Sequence, residues 1–383
     1  MRSTKLIVDL KNLSHNFRTV RSLVKRNVKI CAAVKADAYG HGAVRVAQKL
    51  LEEGVDFLAV AAADEGLELR SEGINTPILV LSLCAPGEIE LLVKNNLTPL
   101  VFDCEYVNLF ERAAGKLKKH GFPVHLAVDT GMGRIGCAPE EAAFVAGFIK
   151  NKCLNLKLEG MCTHFASSDG IGKDDVIYTE NQIKAFTKAW KAVADSGTDP
   201  GIRHCANSAA IFSLPETHLD MVRPGIVLYG YYPGQITKEY LDKKEIHTDL
   251  RPVMTFETQI AALRHFKSGS SVSYGYTWTA SSETRIAILP VGYADGLLRC
   301  FSPGLEVAVG GKLYPVRGRI CMDQCMIEIG MNNGGVKRWD RAVIFGSREE
   351  GAILSAEDVA KISGTISYEV MTGISKRVPR VYR

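Results

Sequence analysis

The stretch Val28-Lys29-Ile30-Cys31-Ala32-Ala33-Val34-Lys35-Ala36-Asp37-Ala38-Tyr39-Gly40-His41-Gly42 decides how the rest of the chain is read. Its first seven residues are apolar and rich in β-branched side chains apart from Lys29, the composition of a strand buried on both faces. Lys35 stands where that run ends, among the small residues Ala36, Ala38, Gly40 and Gly42, before a helical pattern begins near Ala43. An ammonium at the end of a buried strand loses hydration unless it finds a partner or its pKa falls, and a lysine of lowered pKa is a nucleophile able to form a Schiff base with a carbonyl cofactor. A lysine at such a position can also simply extend to water, so the strand alone does not decide the matter.

Outward from this stretch, strand-like runs alternate with helical periods. The expected strands are Val28–Val34, Phe57–Ala62, Ile78–Ser82, Pro99–Phe102, Val124–Asp129, Leu156–Thr163, Ile202–Cys205 and Met221–Tyr229, separated by segments with apolar residues three or four apart, such as Ala43–Leu51, Tyr106–Lys119 and Asn181–Ala194. Such alternation implies right-handed crossovers and a parallel sheet. Eight units predict a closed (β/α)8, TIM-like barrel of the α/β class over residues 11–240, with its active site at the C-terminal strand ends. From 241 to 383 short alternating segments broken by Gly and turn residues predict a mainly β C-terminal domain, which strand 1–10 is expected to join.

The 383 residues are 46% hydrophobic and 23% charged, the balance of an ordinary globular protein. A net charge of +5 from 47 basic and 42 acidic side chains, with no dense basic stripe, argues against nucleic acid as a partner. The first residues lack a signal-peptide pattern and no run reaches the ~20 apolar residues a membrane span needs, so a cytoplasmic protein is expected. Ten scattered cysteines form no zinc-type spacing, so no metal site is expected and the thiols read as reduced core residues.

If the barrel forms, the strand ends are polar in a concerted way. They carry Asp129-Thr130-Gly131-Met132-Gly133-Arg134, then Thr163-His164, then Asn207-Ser208 opening a helix, then Arg223-Pro224-Gly225-Ile226. A phosphate requires free backbone N–H groups and a hydroxyl, which Ser208 and the amides near Gly225 and Ile226 can supply. An aldehyde requires Lys35, and an aromatic ring requires a planar neighbour such as His164. These are the parts needed to hold pyridoxal phosphate.

The strings AVKADAYGHG, DTGMGRIG, THFA, ANSA, SYGYTW, PVGYADG, GRICMDQ and TISYEVMTGIS, in this order through the chain, resemble those of the alanine racemases over essentially the full length. The resemblance implies an isomerase that interconverts L- and D-alanine by a two-base mechanism through a pyridoxal-phosphate aldimine, supplying D-alanine for peptidoglycan. It implies that Lys35 carries the cofactor, that Tyr39, Ser208, Gly225, Ile226 and Tyr368 surround its phosphate, that Asn207 also binds the cofactor, that His164 lies against the ring and that Arg223 meets the pyridine nitrogen. Arginine stays protonated, so this pairing leaves the nitrogen neutral and the cofactor a weaker electron sink.

Inversion of a stereocentre requires a proton acceptor on each face of the α-carbon. The resemblance assigns one face to Lys35 and the other to Tyr274, delivered by the second subunit of a head-to-tail homodimer. Met322 and Asp323 would arrive with it toward the substrate carboxylate. Arg134 would bind that carboxylate and the cofactor's phenolic oxygen, while Tyr293, Arg299, Arg319, Ile366 and Asp169 lie in segments that line the access corridor of relatives. The chain departs from many relatives at Ala127, where those carry a carbamylated lysine that orients the arginine; a chloride or water near Arg134 is the expected substitute. Rival readings are a serine or broader-specificity racemase, a decarboxylase using Cys321 or Cys325 as acid, and a non-catalytic pyridoxal-phosphate carrier.

Overall fold

The computed structural model describes residues 2–332 and 334–383. Contacts divide the chain into two units, one comprising Ser14–Ala38 and Ala43–Leu250, the other the chain up to Leu13, Tyr39–Gly42 and Arg251–Arg383.

The first unit is a barrel. Its strands are β1 (Lys29–Ala33), β2 (Phe57–Val60), β3 (Ile78–Val80), β4 (Leu97–Val101), β5 (Phe122–Ala127), β6 (Leu156–Cys162), β7 (Ile202–His204) and β8 (Met221–Val222). They lie side by side in the order β7-β6-β5-β4-β3-β2-β1-β8, every neighbouring pair parallel. Bonds from Asp220 N to Arg203 O (3.1 Å) and from Arg223 N to Ala206 O (2.9 Å) draw the two ends of the sheet together. Alternation along each strand sends one set of side chains inward. Cys31, Phe57, Ala59, Leu79, Leu100, Ala127, Cys162 and Met221 accordingly pack into one core cluster. The crossover helices include Ala43–Glu52, Cys104–Lys116 and Lys173–Asp195. Asp103 caps the second of these, accepting from Tyr106 N at 2.7 Å.

Two sequence expectations are corrected here. The run Met221–Tyr229 is not one strand, since β8 ends at Val222 and Ile226–Tyr229 forms a 3-10 turn. Pro224 has no N–H for a sheet ladder and interrupts it. Nor are all ten cysteines core residues: all are free thiols, but Cys300 is exposed and Cys104 and Cys321 are half-buried.

The decisive stretch also holds more than a strand followed by a helix. After Lys35 the backbone makes a helical turn, Lys35–Gly40, in which Ala36, Asp37, Ala38 and Tyr39 all have φ of 53–54°, so the turn is left-handed. For L-residues this costs roughly 1–2 kcal/mol each and persists only where neighbours enforce it. Glu65 accepts from Ala36 N (2.6 Å), Val34 O from Ala38 N (2.8 Å), and Asp37 caps the following helix by accepting from Ala43 N (2.7 Å). At Gly40, φ +83°, a Cβ would lie 2.4 Å from Met371 O, so glycine is required twice over.

The second unit is mainly β. A six-stranded sheet runs in the order Lys312–Pro315, Glu306–Val309, Arg341–Phe345, Met254–Gln259, Lys5–Val8, Arg380–Tyr382, so the N-terminal strand lies between two C-terminal ones. A three-stranded sheet joins Ala262–Phe266, Thr284–Leu289 and Cys325–Glu328, and a small hairpin pairs Ser271–Val272 with Trp278–Thr279.

Candidate active site

Each barrel residue picked out by sequence sits just beyond a strand's C-terminal end. Lys35 follows β1, Arg134 lies in the loop after β5, His164 follows β6, Asn207 and Ser208 follow β7, and Arg223 follows β8 directly. The loop to Arg134 is held by Asp129, whose Oδ1 accepts from Gly131 N (2.9 Å) and Gly133 N (3.0 Å), and Tyr178 donates to Gly131 O (2.7 Å). Arg134 itself is exposed and Ala127 is buried in the core cluster.

Arg223 is the best-held residue of the set. It is buried, and its Nη1 donates to His204 Nδ1 (2.7 Å) and His204 O (2.8 Å) while its Nη2 donates to Thr163 O (2.7 Å), His164 Nδ1 (3.3 Å) and Cys205 O (3.3 Å). The four terminal N–H groups are thus committed to protein acceptors, and Nε–H is the guanidinium's fifth donor. No carboxylate is among these partners. His164 accepts through Nδ1, so its proton resides on Nε2; burial first, then the charges of Arg223, Arg134 and Lys35, push its pKa down to about 3. The Lys35 amine is held below the ordinary lysine range by burial and by Arg134, with Glu65 opposing. Both groups are shifted downward for the same reason: the pocket is desolvated and already cationic.

Beside them Ser208 opens the helix Ser208–Ser213, and its hydroxyl accepts from Gly225 N at 2.9 Å. This brings Ser208 beside Gly225, the residue before Ile226. Asn207 is the helix cap, its Oδ1 accepting from Ala209 N and Ala210 N (3.1 Å each) and from Ser168 Oγ (3.0 Å). Its oxygen therefore serves the protein, a duty its sequence position as N-cap could have announced.

The residues assigned to the other unit are differently placed. Tyr39 is buried, which pushes its phenol up to about 12, and its ring lies 6.0 Å from that of Tyr368. Tyr274, in the turn Tyr274–Tyr276 at the tip of the small hairpin, is 70% exposed. Met322 is 52% exposed, and Asp323 pairs with Arg377 at 2.8 Å. Tyr293 and Ile366 are exposed too.

Sequence reasoning passed over His125, His204 and Glu159. His204 lies three residues before Asn207 and His125 two before Ala127 on the inward face of β5; a polar residue in register with inward apolar ones was the available signal.

A full-length kinship accompanies this geometry. Residues 8–233 match the family described as alanine racemase, N-terminal domain, and residues 253–382 the alanine racemase, C-terminal domain. The alanine racemase of Treponema denticola is 47% identical over 384 residues, covering 100% of this chain and 98% of that one. Alanine racemase 2 of Caldanaerobacter subterraneus subsp. tengcongensis is 43% identical, covering 100% and 95%. Among solved structures, the alanine racemase of Clostridium difficile 630 superposes with a TM-score of 0.92 at 38% identity, covering 100% of this chain and 96% of that one. That of Bacillus anthracis, solved with bound L-Ala-P, gives 0.90 at 35% identity, covering 100% and 95%. The chain belongs to the alanine racemase family.

Proposed function

We propose that this protein racemises alanine, using Lys35 and the partner subunit's Tyr274 as the two proton-transferring groups. The observation that carries this reading is the environment of Lys35: an amine of lowered pKa at a barrel strand end, with Arg223 fixed beside it among neutral and carbonyl acceptors. The family depends on pyridoxal phosphate, and the residues present fit it. An amine, a hydroxyl positioned by the Gly225 amide with the Ile226 amide next to it, and a guanidinium with one donor to spare lie at neighbouring strand ends. When bound, the cofactor supplies an aldehyde for Lys35 and a ring that withdraws electrons from the substrate's α-carbon.

The chain's own residues do the rest. Arg223 Nε–H offers the ring nitrogen a donor that cannot surrender its proton, which limits electron withdrawal and with it side reactions. Lys35, once released by substrate, takes or returns a proton on one face. Tyr274 serves the other, and neutral His164, with its proton on Nε2, can donate to the phenolic oxygen and stabilise it as phenolate. Within the barrel unit Ser208, Gly225 and Ile226 hold the phosphate, and Asn207 supports Ser208 as cap. Arg134 receives the substrate carboxylate together with the partner subunit's Met322 and the partner subunit's Asp323.

Support for a head-to-tail dimer lies in the exposure of Tyr274, Tyr276, Met322 and Ile366 on one chain, a set of large apolar side chains that a monomer has little reason to show water. Because Ala127 brings no charge to the Arg134 loop, we include a chloride ion beside Arg134; an anomalous-scattering map lacking a peak there removes it. No helix among the described residues is long and apolar enough to cross a membrane, and the reading places the enzyme in the cytoplasm, making D-alanine for peptidoglycan. Of the two thiols a decarboxylase could use, Cys325 is fully buried with its thiol raised by desolvation, while Cys321 is half-buried, so carbon dioxide release is the measurement that decides this rival.

The test is solvent-deuterium exchange. Wild-type protein should place deuterium at the α-carbon of both alanine enantiomers, and Tyr274→Phe should abolish exchange from one enantiomer before the other. Equal effects on both, or carbon dioxide release, would sink the assignment. Turnover across a panel of L- and D-amino acids decides between alanine and a broader or serine preference.

A further inference from the structure

Behind Arg223, away from the residues assigned to cofactor and substrate, a line of buried polar groups crosses the barrel interior. Arg223 Nη1 meets His204 Nδ1 at 2.7 Å, His204 Nε2 meets His125 Nδ1 at 2.8 Å, and His125 Nε2 meets Glu159 Oε2 at 3.2 Å. Both histidines are completely buried, and Glu159 is part-exposed. The donor inventory orders this line without ambiguity. A guanidinium nitrogen can only donate, so His204 Nδ1 accepts and the His204 proton sits on Nε2. His125 Nδ1 must then accept, so its proton sits on Nε2 and is given to the carboxylate. Every N–H points outward from Arg223 and the last one ends on a negative charge.

The backbone is shaped to allow it. Pairing of β5 with β6 runs Val124↔Leu158 and then His125↔Gly160, so Glu159 is the extra residue of a β-bulge. Bulges re-aim side chains beside active sites. At Gly160 a Cβ would lie 2.8 Å from His125 Cε1 and Nδ1 and 2.5 Å from Ile202 O, and at Gly201 (φ +65°) 2.2 Å from Glu159 O. Two glycines thus clear the space in which the His125 ring and the Glu159 backbone lie. A bulge, two glycines and two buried imidazoles are an expensive way to fill a core that apolar side chains would fill better.

We propose that Glu159 is a positioning residue for the reaction: through His125 it fixes the proton of each histidine on Nε2, and so presents an accepting nitrogen that holds the Arg223 guanidinium in place. Without the carboxylate, His125 has no acceptor at Nε2 and gains by moving its proton to Nδ1, where it meets the His204 proton head-on. His204 then relocates its proton toward Arg223, donor faces donor, and the guanidinium loses its strongest-placed side-chain partner. Burial holds His204 neutral throughout, so it cannot answer by taking a second proton. The Glu159 carboxyl is held below the usual carboxylate range chiefly by the His125 bond, as an acceptor at the end of such a line should be.

The inference rests on the racemase reading for its kinetic consequence, but not for its structural one. Neutron diffraction from the deuterated holoenzyme should show deuterons on Nε2 of both His125 and His204 and none on Nδ1. Glu159→Gln, which keeps an accepting oxygen, should retain most of kcat and the same deuteron positions. Glu159→Leu should lose kcat in both directions on the order of 10- to 100-fold, the loss typical when the outer partner of an oriented imidazole is removed, with KM little changed and the deuterons shifted to Nδ1. A deuteron on Nδ1 of either wild-type histidine overturns the proposal. So does a Leu variant that matches the Gln variant in kcat and differs only in melting temperature, since that describes a brace for the bulge. If Glu159→Leu does not fold, the wild-type deuteron positions and the Gln variant's kcat decide. Wild-type protein inactive on every amino acid would sink the racemase reading while leaving the deuteron positions to judge this one.

Discussion

The barrel unit and the β unit treat their candidate site residues in opposite ways. In the barrel, Arg223 is buried with five acceptor contacts, Ser208 is tied to Gly225, and Lys35 and His164 are pushed toward neutrality by desolvation. In the β unit, Tyr274 and Met322 stand open to water and Asp323 is held by one exposed arginine. Groups that bind a permanent cofactor benefit from being rigid before it arrives, because ordering them later would subtract from affinity. Groups that belong to another subunit's site have no reason to be buried within their own chain. Under the proposed dimer, an exposed Tyr274 is what a shared site would leave on a single chain.

The largest expected effect falls on the buried side. Lys35→Ala should remove racemisation in both directions by about 10⁴-fold or more, since the proposed mechanism makes one amine both covalent attachment and proton carrier. Tyr274→Phe should cost about 10²- to 10⁴-fold, unequally in the two directions of exchange, while an exposed position leaves stability within roughly 0.5 kcal/mol. Mixing the two inactive variants sharpens the contrast. If sites are shared, unfolding and refolding them together rebuilds one intact site per mixed dimer and recovers about a quarter of wild-type activity. If each chain supplies its whole site, mixing recovers nothing.

A smaller effect follows from pH. Burial and the nearby cations push the His164 imidazole from its ordinary 6.5 down to about 3, so between those values the unfolded chain binds the extra proton. Its contribution is present above 6.5 and is lost as pH falls toward 3, by up to about 1.4 kcal/mol per pH unit, with His204 acting in the same direction. Denaturant midpoints should therefore decline over that window, and His164→Asn should flatten the decline. The smallest is Gly40→Ala. A positive φ and a 2.4 Å approach to Met371 O should cost about 1–3 kcal/mol in a denaturant titration, with activity altered if the left-handed turn after Lys35 distorts.

Much of this was visible in the order of residues. Alternating strand and helix periods announced the barrel, and small residues with polar punctuation at the strand ends placed Lys35, Arg134, His164, Ser208 and Arg223 at a common rim. Those are local signals: apolar period, turn composition and helix caps are written within a few residues of one another. The left-handed turn at Ala36–Tyr39 was not visible, because alanine and tyrosine have no preference for positive φ, a lone aspartate does not announce four such residues in a row, and the turn is held by Glu65 and Val34. Nor was the line from Arg223 to Glu159. His125 and His204 are 79 residues apart, and Glu159 faces His125 only because β5 and β6 slip by one residue where they pair. Chain order settled which chemical groups reach the mouth of the barrel; sheet register and desolvation settled which nitrogen bears a proton, since a hydrogen bond depends on positions in space that no local pattern records.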